Sequence, residues 1–347
     1  MDFIPESFIR RVKVFVRRYA AACILSLCIV IFALSDTSLI SLRHIRNVFS
    51  DAAPFLLAGA GMGLCLFSGY IDLSAGATAV FASAVAASFL QASDTAGRMF
   101  PFLPAFPFFL VVPAAAALCF TVGMLNGFLI KKIVLPPWFA SLGTGIFLSS
   151  LTRVYLYDKD ISLKVLEGFT RGYNFFGTGY FGISPVYSVP FTLIFSIFIF
   201  ALVIVSVNIF IKDINLPPLH RDIKLFWPVS PKILSLKETM LLYGTASALF
   251  ALAGMMISAR AGAASVSVFS AADFQTEVMA MCFIASFSLF GGRGNWTALA
   301  VSVLIFSAFS YASDFVGVNR FLSSGVGALI ILISSAADIR TRRKNAL

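Results

Sequence analysis

Charge is scarce in this sequence. Charged residues make up 12% of the 347, and only 16 are carboxylates, too few for the solvated surface of a soluble domain. Histidine is scarcer, with His44 and His220 alone. No Ser/His/Asp arrangement is built from two histidines near the ends of apolar runs, and HExxH is missing. No glycine-rich loop ends in Gly-Lys-Ser/Thr, so the chain has no phosphate cradle for hydrolysing ATP. The run Gly59-Ala60-Gly61-Met62-Gly63 lacks the third glycine of a dinucleotide fingerprint and reads as close helix packing. Gly291-Gly292-Arg293-Gly294 follows no β-strand and reads as a tight turn on the cytoplasmic side. The five cysteines, Cys23, Cys28, Cys65, Cys119 and Cys282, lie inside apolar segments without CxxC spacing. They are small buried hydrophobes rather than a disulfide framework or a metal site. No enzymatic chemistry, cofactor or metal is expected of this chain.

Long hydrophobic runs are what it has. Hydrophobic residues reach 59% and the mean hydropathy is +0.93. A membrane span needs about 20 apolar residues, and about ten such segments follow one another with short connectors. They fall at roughly 20–34, 53–70, 73–91, 105–130, 137–156, 187–211, 239–258, 277–290, 297–312 and 321–337. The fold expected is an all-α polytopic membrane protein, one membrane domain over 1–347. Net charge is +10, but the basic residues sit in short clusters beside the apolar runs. That placement orients a membrane protein and offers no solvated basic face to nucleic acid.

The clusters give the orientation. Residues 1–19 carry Arg10, Arg11, Lys13, Arg17 and Arg18 ahead of the first apolar run, which resembles a secretory signal but has no clear cleavage site after it. It is therefore read as the first span, with 1–19 cytoplasmic. Lys131 and Lys132 fall inside after four crossings. Segment 157–185 is an external loop of mixed charge, 212–238 is the main cytoplasmic loop, and the tail 338–347, with Arg340, Arg342, Arg343 and Lys344, is cytoplasmic.

One stretch interrupts this regularity. Gly69-Tyr70-Ile71-Asp72-Leu73-Ser74-Ala75-Gly76 places a carboxylate between two apolar runs. An ionisable group at membrane depth costs roughly 2.5–3.5 kcal/mol and marks a functional site by default. Gly69 and Gly76 bracket it, as at a broken helix whose freed backbone faces a cavity. The plainer reading is a short turn in which Asp72 caps the next helix; the sequence leaves both open. A second carboxylate, Glu277, lies near apolar sequence, and with Asp72 it would make a proton relay. Asp273 and Glu277, four apart, would equally favour the start of an external helix. In the cytoplasmic loop, Leu225-Phe226-Trp227-Pro228 lies among basic residues and suits either a partner groove or the bilayer interface.

Several of these motifs together resemble sugar permeases of ATP-driven (ABC) importers of the ribose/galactose type. Gly69 to Gly76 is similar to the GGIDLSVG signature of that family. Leu125-Asn126-Gly127 followed by Leu135-Pro136-Pro137-Trp138-Phe139-Ala140-Ser141-Leu142-Gly143-Thr144 resembles their NG…PPFIxTLGT segment, and Leu289 to Gly294 resembles their SGGRG turn. Asp72 to Pro101 and Gly317-Val318-Asn319 are similar to the galactose/methyl-galactoside members in particular. The resemblance covers roughly residues 20–340. It implies a bacterial inner-membrane permease that forms a homodimer and moves a monosaccharide, galactose, glucose or methyl-galactoside, inward by alternating access. A cytoplasmic ATP-binding subunit and an external substrate-binding protein would be its partners, with lipid around it. Asp72 and Ser74 would shape the pathway, Asn126, Ser141, Thr144 and Glu277 would add polar contacts, and Arg221, Lys224, Phe226, Trp227 and Pro228 would couple to the ATPase. The chain departs from the family where Asp222 to Ser230 lacks a Gly-Gly-Asn-Pro-type motif and Gln275-Thr276-Glu277 replaces Glu-Leu-Asp. A nucleoside or vitamin importer fits both departures, and a proton-coupled carrier using Asp72 and Glu277 is the reading that needs no ATPase.

Overall fold

Glycine sets how closely the helices of this chain meet. In the computed structural model, which describes residues 19–158, 162–182, 188–210, 234–267, 270–318 and 321–346, the central helix is α8, Leu236–Ala261. It packs against α4 (Phe108–Lys131), α3 (Ala75–Leu90), α2 (Leu42–Phe67) and the short α6 (Arg171–Thr178). Gly123 and Gly127 of α4, one turn apart, rest on the backbone of Tyr243 and Met240. This small-xxx-small spacing lets two backbones approach where a side chain would hold them apart. Gly254 of α8 does the same against the Ala79 carbonyl of α3.

The other helices described are α1 (Ala20–Ser35), α5 (Pro137–Tyr155), α7 (Phe191–Phe210), α9 (Ala271–Ile284), α10 (Trp296–Phe315) and α11 (Phe321–Ala346). Helix α9 packs on α11, α3, α2 and α10, while α10 also covers α1 and α2. Among the described residues, five helices are long and apolar enough to cross a membrane: α2, α4, α8, α10 and the Phe321–Arg340 part of α11. Large apolar side chains point outward, including Ile24 and Leu27 on α1, Phe147 on α5, Phe198 on α7 and Ile333 on α11. A surface of this kind is stable against lipid rather than water.

Ten of the helices occupy the ten apolar stretches of the sequence, with three departures. Helix α2 starts at Leu42, so Arg43, His44, Arg46 and Asp51 are helical. Helix α9 spans Ala271–Ile284 rather than 277–290, which brings Asp273 and Glu277 into its first turns. Within 157–185 the chain forms α6 and short two-residue strands: Tyr157–Asp158 pairs with Ser162–Leu163, Leu166–Glu167 with Ala263–Ala264, and Tyr180–Phe181 with Val189–Pro190. The buried Tyr173 ties α6 to α8 by donating to the Met255 carbonyl at 2.9 Å.

Helices α2 and α9 end alike. Gly69 takes φ +78° after α2, with Gly69 N–H donating to Leu66 C=O and Tyr70 N–H to Cys65 C=O. Ser286 takes φ +63° after α9, with the same bonds from Ser286 to Phe283 and from Phe287 to Cys282. Both are Schellman endings, which satisfy carbonyls left open at a helix C-terminus. The two ends meet: Gly292 N–H donates to Phe67 C=O at 2.8 Å, and the Gly291 backbone lies on Gly69. The Gly291–Gly294 turn is thus a packing element as well as a connector.

Candidate functional site

Residues 68–74 leave α2 and enter α3 without helical structure, and they do so inside the protein. Asp72 and Ser74 are fully buried. Asp72 Oδ1 accepts from Ser74 N–H at 2.8 Å and from the Ser74 hydroxyl at 2.6 Å. This is the Asx-type turn, in which a short carboxylate bonds the backbone two residues on. Helices α4 and α5 complete the enclosure. Ser141 Oγ accepts from Leu73 N–H at 3.0 Å, Asn126 Nδ2 donates to Ser74 Oγ at 3.4 Å, and Thr144 Oγ1 donates to Asn126 Oδ1 at 2.6 Å. From α8, Tyr243 donates its hydroxyl to Ile71 C=O at 2.9 Å. Five of the six pathway residues expected from sequence, Asp72, Ser74, Asn126, Ser141 and Thr144, therefore form one buried network. Asp72 Oδ2 is buried within it and has no hydrogen-bond partner.

Gly69 and Gly76 serve different ends. Gly69 is the left-handed residue that closes α2, a conformation glycine adopts without steric cost. Gly76 is already helical, in the first turn of α3, and what calls for glycine there is the backbone of Ala271 at the start of α9.

Glu277 lies elsewhere, in a cavity of about 640 Å3 between α2, α8, α9, α10 and α11. Asp51 and Arg260 line it with a 2.7 Å ion pair between α2 and α8, both side chains partly exposed at 24% for Arg260 and 34% for Asp51. Glu277 Oε1 accepts from the Ser323 hydroxyl at 2.8 Å, joining α9 to α11. Asp273 and Asp314 also line the cavity, as does Tyr311, whose hydroxyl bonds His44 Nδ1 at 2.6 Å. Phe55 and Phe274 stack in its wall with centroids 5.5 Å apart. Ser270 caps α9 by accepting from Asp273 N–H. Asp273 then occupies the first turn, where a carboxylate favours the helix dipole. Aromatic walls with a few convergent polar groups are the usual lining of a small-molecule site, and the volume lies in the usual range.

Comparison with known proteins fits this architecture. A family profile described as the branched-chain amino acid transport system / permease component matches residues 44–212. The galactose/methyl galactoside import permease protein MglC of Escherichia coli (strain K12) is 24% identical over 315 residues, 90% of this chain and 90% of its own length. The ribose import permease protein RbsC of Bacillus subtilis (strain 168) is 27% identical over 326 residues, 93% of this chain and 92% of its own. Along nearly its whole length the chain is similar to sugar-import permeases of the ribose/galactose type. It is a transport component rather than an enzyme. No solved structure matches it.

The permease's expected ATPase-coupling residues, Arg221, Lys224, Phe226, Trp227 and Pro228, lie outside the described residues. Sequence reading missed most of the permease's cavity. Asp51, the partner of Arg260, lies just ahead of the second apolar run among Arg43, Arg46 and Ser50, where a carboxylate gives no signal of its own. Ser307, Tyr311 and Ser323 give none either, because hydroxyl residues are common in these apolar stretches.

Proposed function

We propose that this permease imports a monosaccharide, galactose or glucose, driven by ATP hydrolysis in a partner subunit. The observation that carries the reading is similarity along nearly the whole chain to permeases named for galactose/methyl galactoside and ribose import. The missing nucleotide motif assigns hydrolysis to another chain, and a cavity with aromatic and hydroxyl lining suits a sugar. An external binding protein delivers the sugar to the end of the bundle where α8 finishes. A second copy of this chain completes the pathway, and segment 212–238 receives the ATPase.

In this reading the chain crosses the bacterial inner membrane ten times, with both termini and their basic residues in the cytoplasm. The network around Asp72 holds the non-helical segment 68–74 rigid, so that α2 and α3 transmit motion as one body. Alternating access then comes from movement of whole helices about this fixed joint.

Sugar-stimulated hydrolysis tests the coupling. The assembled complex in lipid nanodiscs is expected to hydrolyse ATP several-fold faster with galactose-loaded binding protein than with the empty protein. The ATPase without this permease should show no such response. Hydrolysis indifferent to the loaded binding protein would break the link between this chain and the ATPase.

A further inference from the structure

One hydroxyl joins the central helix to the non-helical segment 68–74. Tyr243, two turns into α8, is fully buried and donates to Ile71 C=O at 2.9 Å, one residue before Asp72. Ser141 Oγ also lies 3.5 Å from that carbonyl, but its single proton is better placed on Pro137 C=O at 2.8 Å. Tyr243 is therefore the close donor to Ile71, and a buried carbonyl left open is costly in a membrane protein. The bond grips the backbone of the segment and depends on no other side chain there. The Tyr70 ring packs edge-on against Tyr243 with centroids 6.0 Å apart, which limits where the phenol can swing.

The part of α8 that precedes Tyr243 is built to move as a unit. A capping box closes its first turn: Ser235 Oγ accepts from Glu238 N–H at 3.2 Å, and Glu238 Oε2 accepts from Ser235 N–H at 2.6 Å. The buried Thr239 adds a bond to Ser235 C=O at 3.0 Å. Helix α4 clamps the same turns. A Cβ on Gly127 would stand 2.5 Å from Met240 Cα, and one on Gly123 would stand 2.2 Å from the Tyr243 carbonyl oxygen. No glycine or proline interrupts 236–243, so a displacement at Ser235 reaches Tyr243, about 12 Å along the helix, without a hinge between them. Ser235 and Glu238 lie in segment 212–238, which receives the ATPase in the proposed function. From α4, Asn126 reaches Ser74 Oγ only at 3.4 Å, so the short bond from the α4 and α8 pair to the segment is the one from Tyr243.

We infer that Tyr243 is a positioning residue for transport. Its hydroxyl carries movement of α8, started by the ATPase at the capped end, to segment 68–74 and so to the pathway. Tyr243 acts through Ile71 C=O, by setting where Ile71 and Asp72 stand. The inference rests on the ATP-driven import reading and adds the route of coupling.

The test is the number of ATP molecules consumed per galactose imported by the full complex in liposomes, with galactose-loaded binding protein. Tyr243→Phe keeps the ring and its packing and removes the bond. Uptake is expected to fall while hydrolysis persists, so that the ratio rises about tenfold. Tyr173→Phe is the control, because Tyr173 is equally buried and donates to Met255 C=O at 2.9 Å, toward the other end of α8. Its ratio should match that of the unsubstituted complex. Uptake and hydrolysis that fall together in Y243F, or an unchanged ratio, overturn the inference and leave the import reading intact. An equal rise in Y173F also overturns it, because any lost buried hydroxyl would then do the same. An unsubstituted complex that takes up neither galactose nor glucose, or does so without ATP, overturns the import reading and this inference with it. If Y243F does not assemble, Glu238→Ala decides, since Glu238 is exposed and its loss opens the capping box. A ratio raised several-fold supports the route through α8, and an unchanged ratio overturns it.

Discussion

Alanine at Gly76 is expected to destabilise the permease more than any other single added methyl discussed here. A Cβ at this position would stand 1.8 Å from the Ala271 carbonyl oxygen and 2.6 Å from its carbon. Both are backbone atoms in the first residue of α9, so no flexible side chain can give way. Overpacking in a close-packed interior costs about 1–3 kcal/mol and more when backbone must move; roughly 3 kcal/mol or more is expected here. The displaced element is the start of α9, which carries Ser270 and Asp273 at the cavity, so sugar uptake should fall with stability. Gly143→Ala is the control, because nothing lies within 4 Å of its Cβ. Alanine is favoured over glycine in a helix by about 1 kcal/mol, so Gly143→Ala should be neutral or mildly stabilising. Thermal unfolding of the two variants in the same detergent gives the comparison. Equal midpoints would contradict the close approach of α3 to α9.

Asp72→Leu should be the second severe change, and its contrast with Asp72→Asn carries the argument. Leucine removes the acceptor of both Ser74 bonds and leaves a backbone N–H and the hydroxyl's proton without an acceptor in a buried network. At roughly 1–3 kcal/mol for each buried group left unsatisfied, the loss is about 3 kcal/mol. Asparagine keeps one carbonyl oxygen in the place of Oδ1, so both bonds survive. Asp72→Asn should therefore retain most of the folded protein and much of its uptake, while Asp72→Leu loses nearly all. Uptake abolished by Asp72→Asn, in a protein as stable as the original, would instead mean that Asp72 changes charge during transport.

The apolar runs made the helices legible because a span needs a length and a composition, both local properties. What escaped depends on partners far along the chain. Helix α2 runs back through Asp51, and the partner of that carboxylate is Arg260, 209 residues away, at 2.7 Å. Helix α9 begins at Ala271, capped by Ser270, six residues before the span expected from hydropathy, and it carries Asp273 and Glu277 at its start, as their spacing of four allowed. The segment 157–185 read as an external loop from its mixed charge, glycines and tyrosines, yet Tyr173 bonds α8 and residues 171–178 form α6.

The polar network shows how far residue type alone reaches. Asp72, Ser74, Asn126, Ser141 and Thr144 stood out as polar groups in apolar surroundings, and they come together from α4, α5 and the turn before α3. Glu277 shared their signature and yet lies in a different place, 2.8 Å from Ser323. No spacing rule separates the five from the sixth. Ser307 was silent because a serine in a helix normally bonds its own backbone, and only the fold reveals that this one does not.

Uptake of radiolabelled galactose and glucose into vesicles containing this permease, with ATP inside, is the most direct measurement of the account. It is made with and without the ATPase and the binding protein, and with and without a protonophore. The account predicts uptake that requires both partners and ATP and survives the protonophore. Uptake by the permease alone, abolished by the protonophore, would contradict it and assign the driving force to protons acting through Asp72 and Glu277.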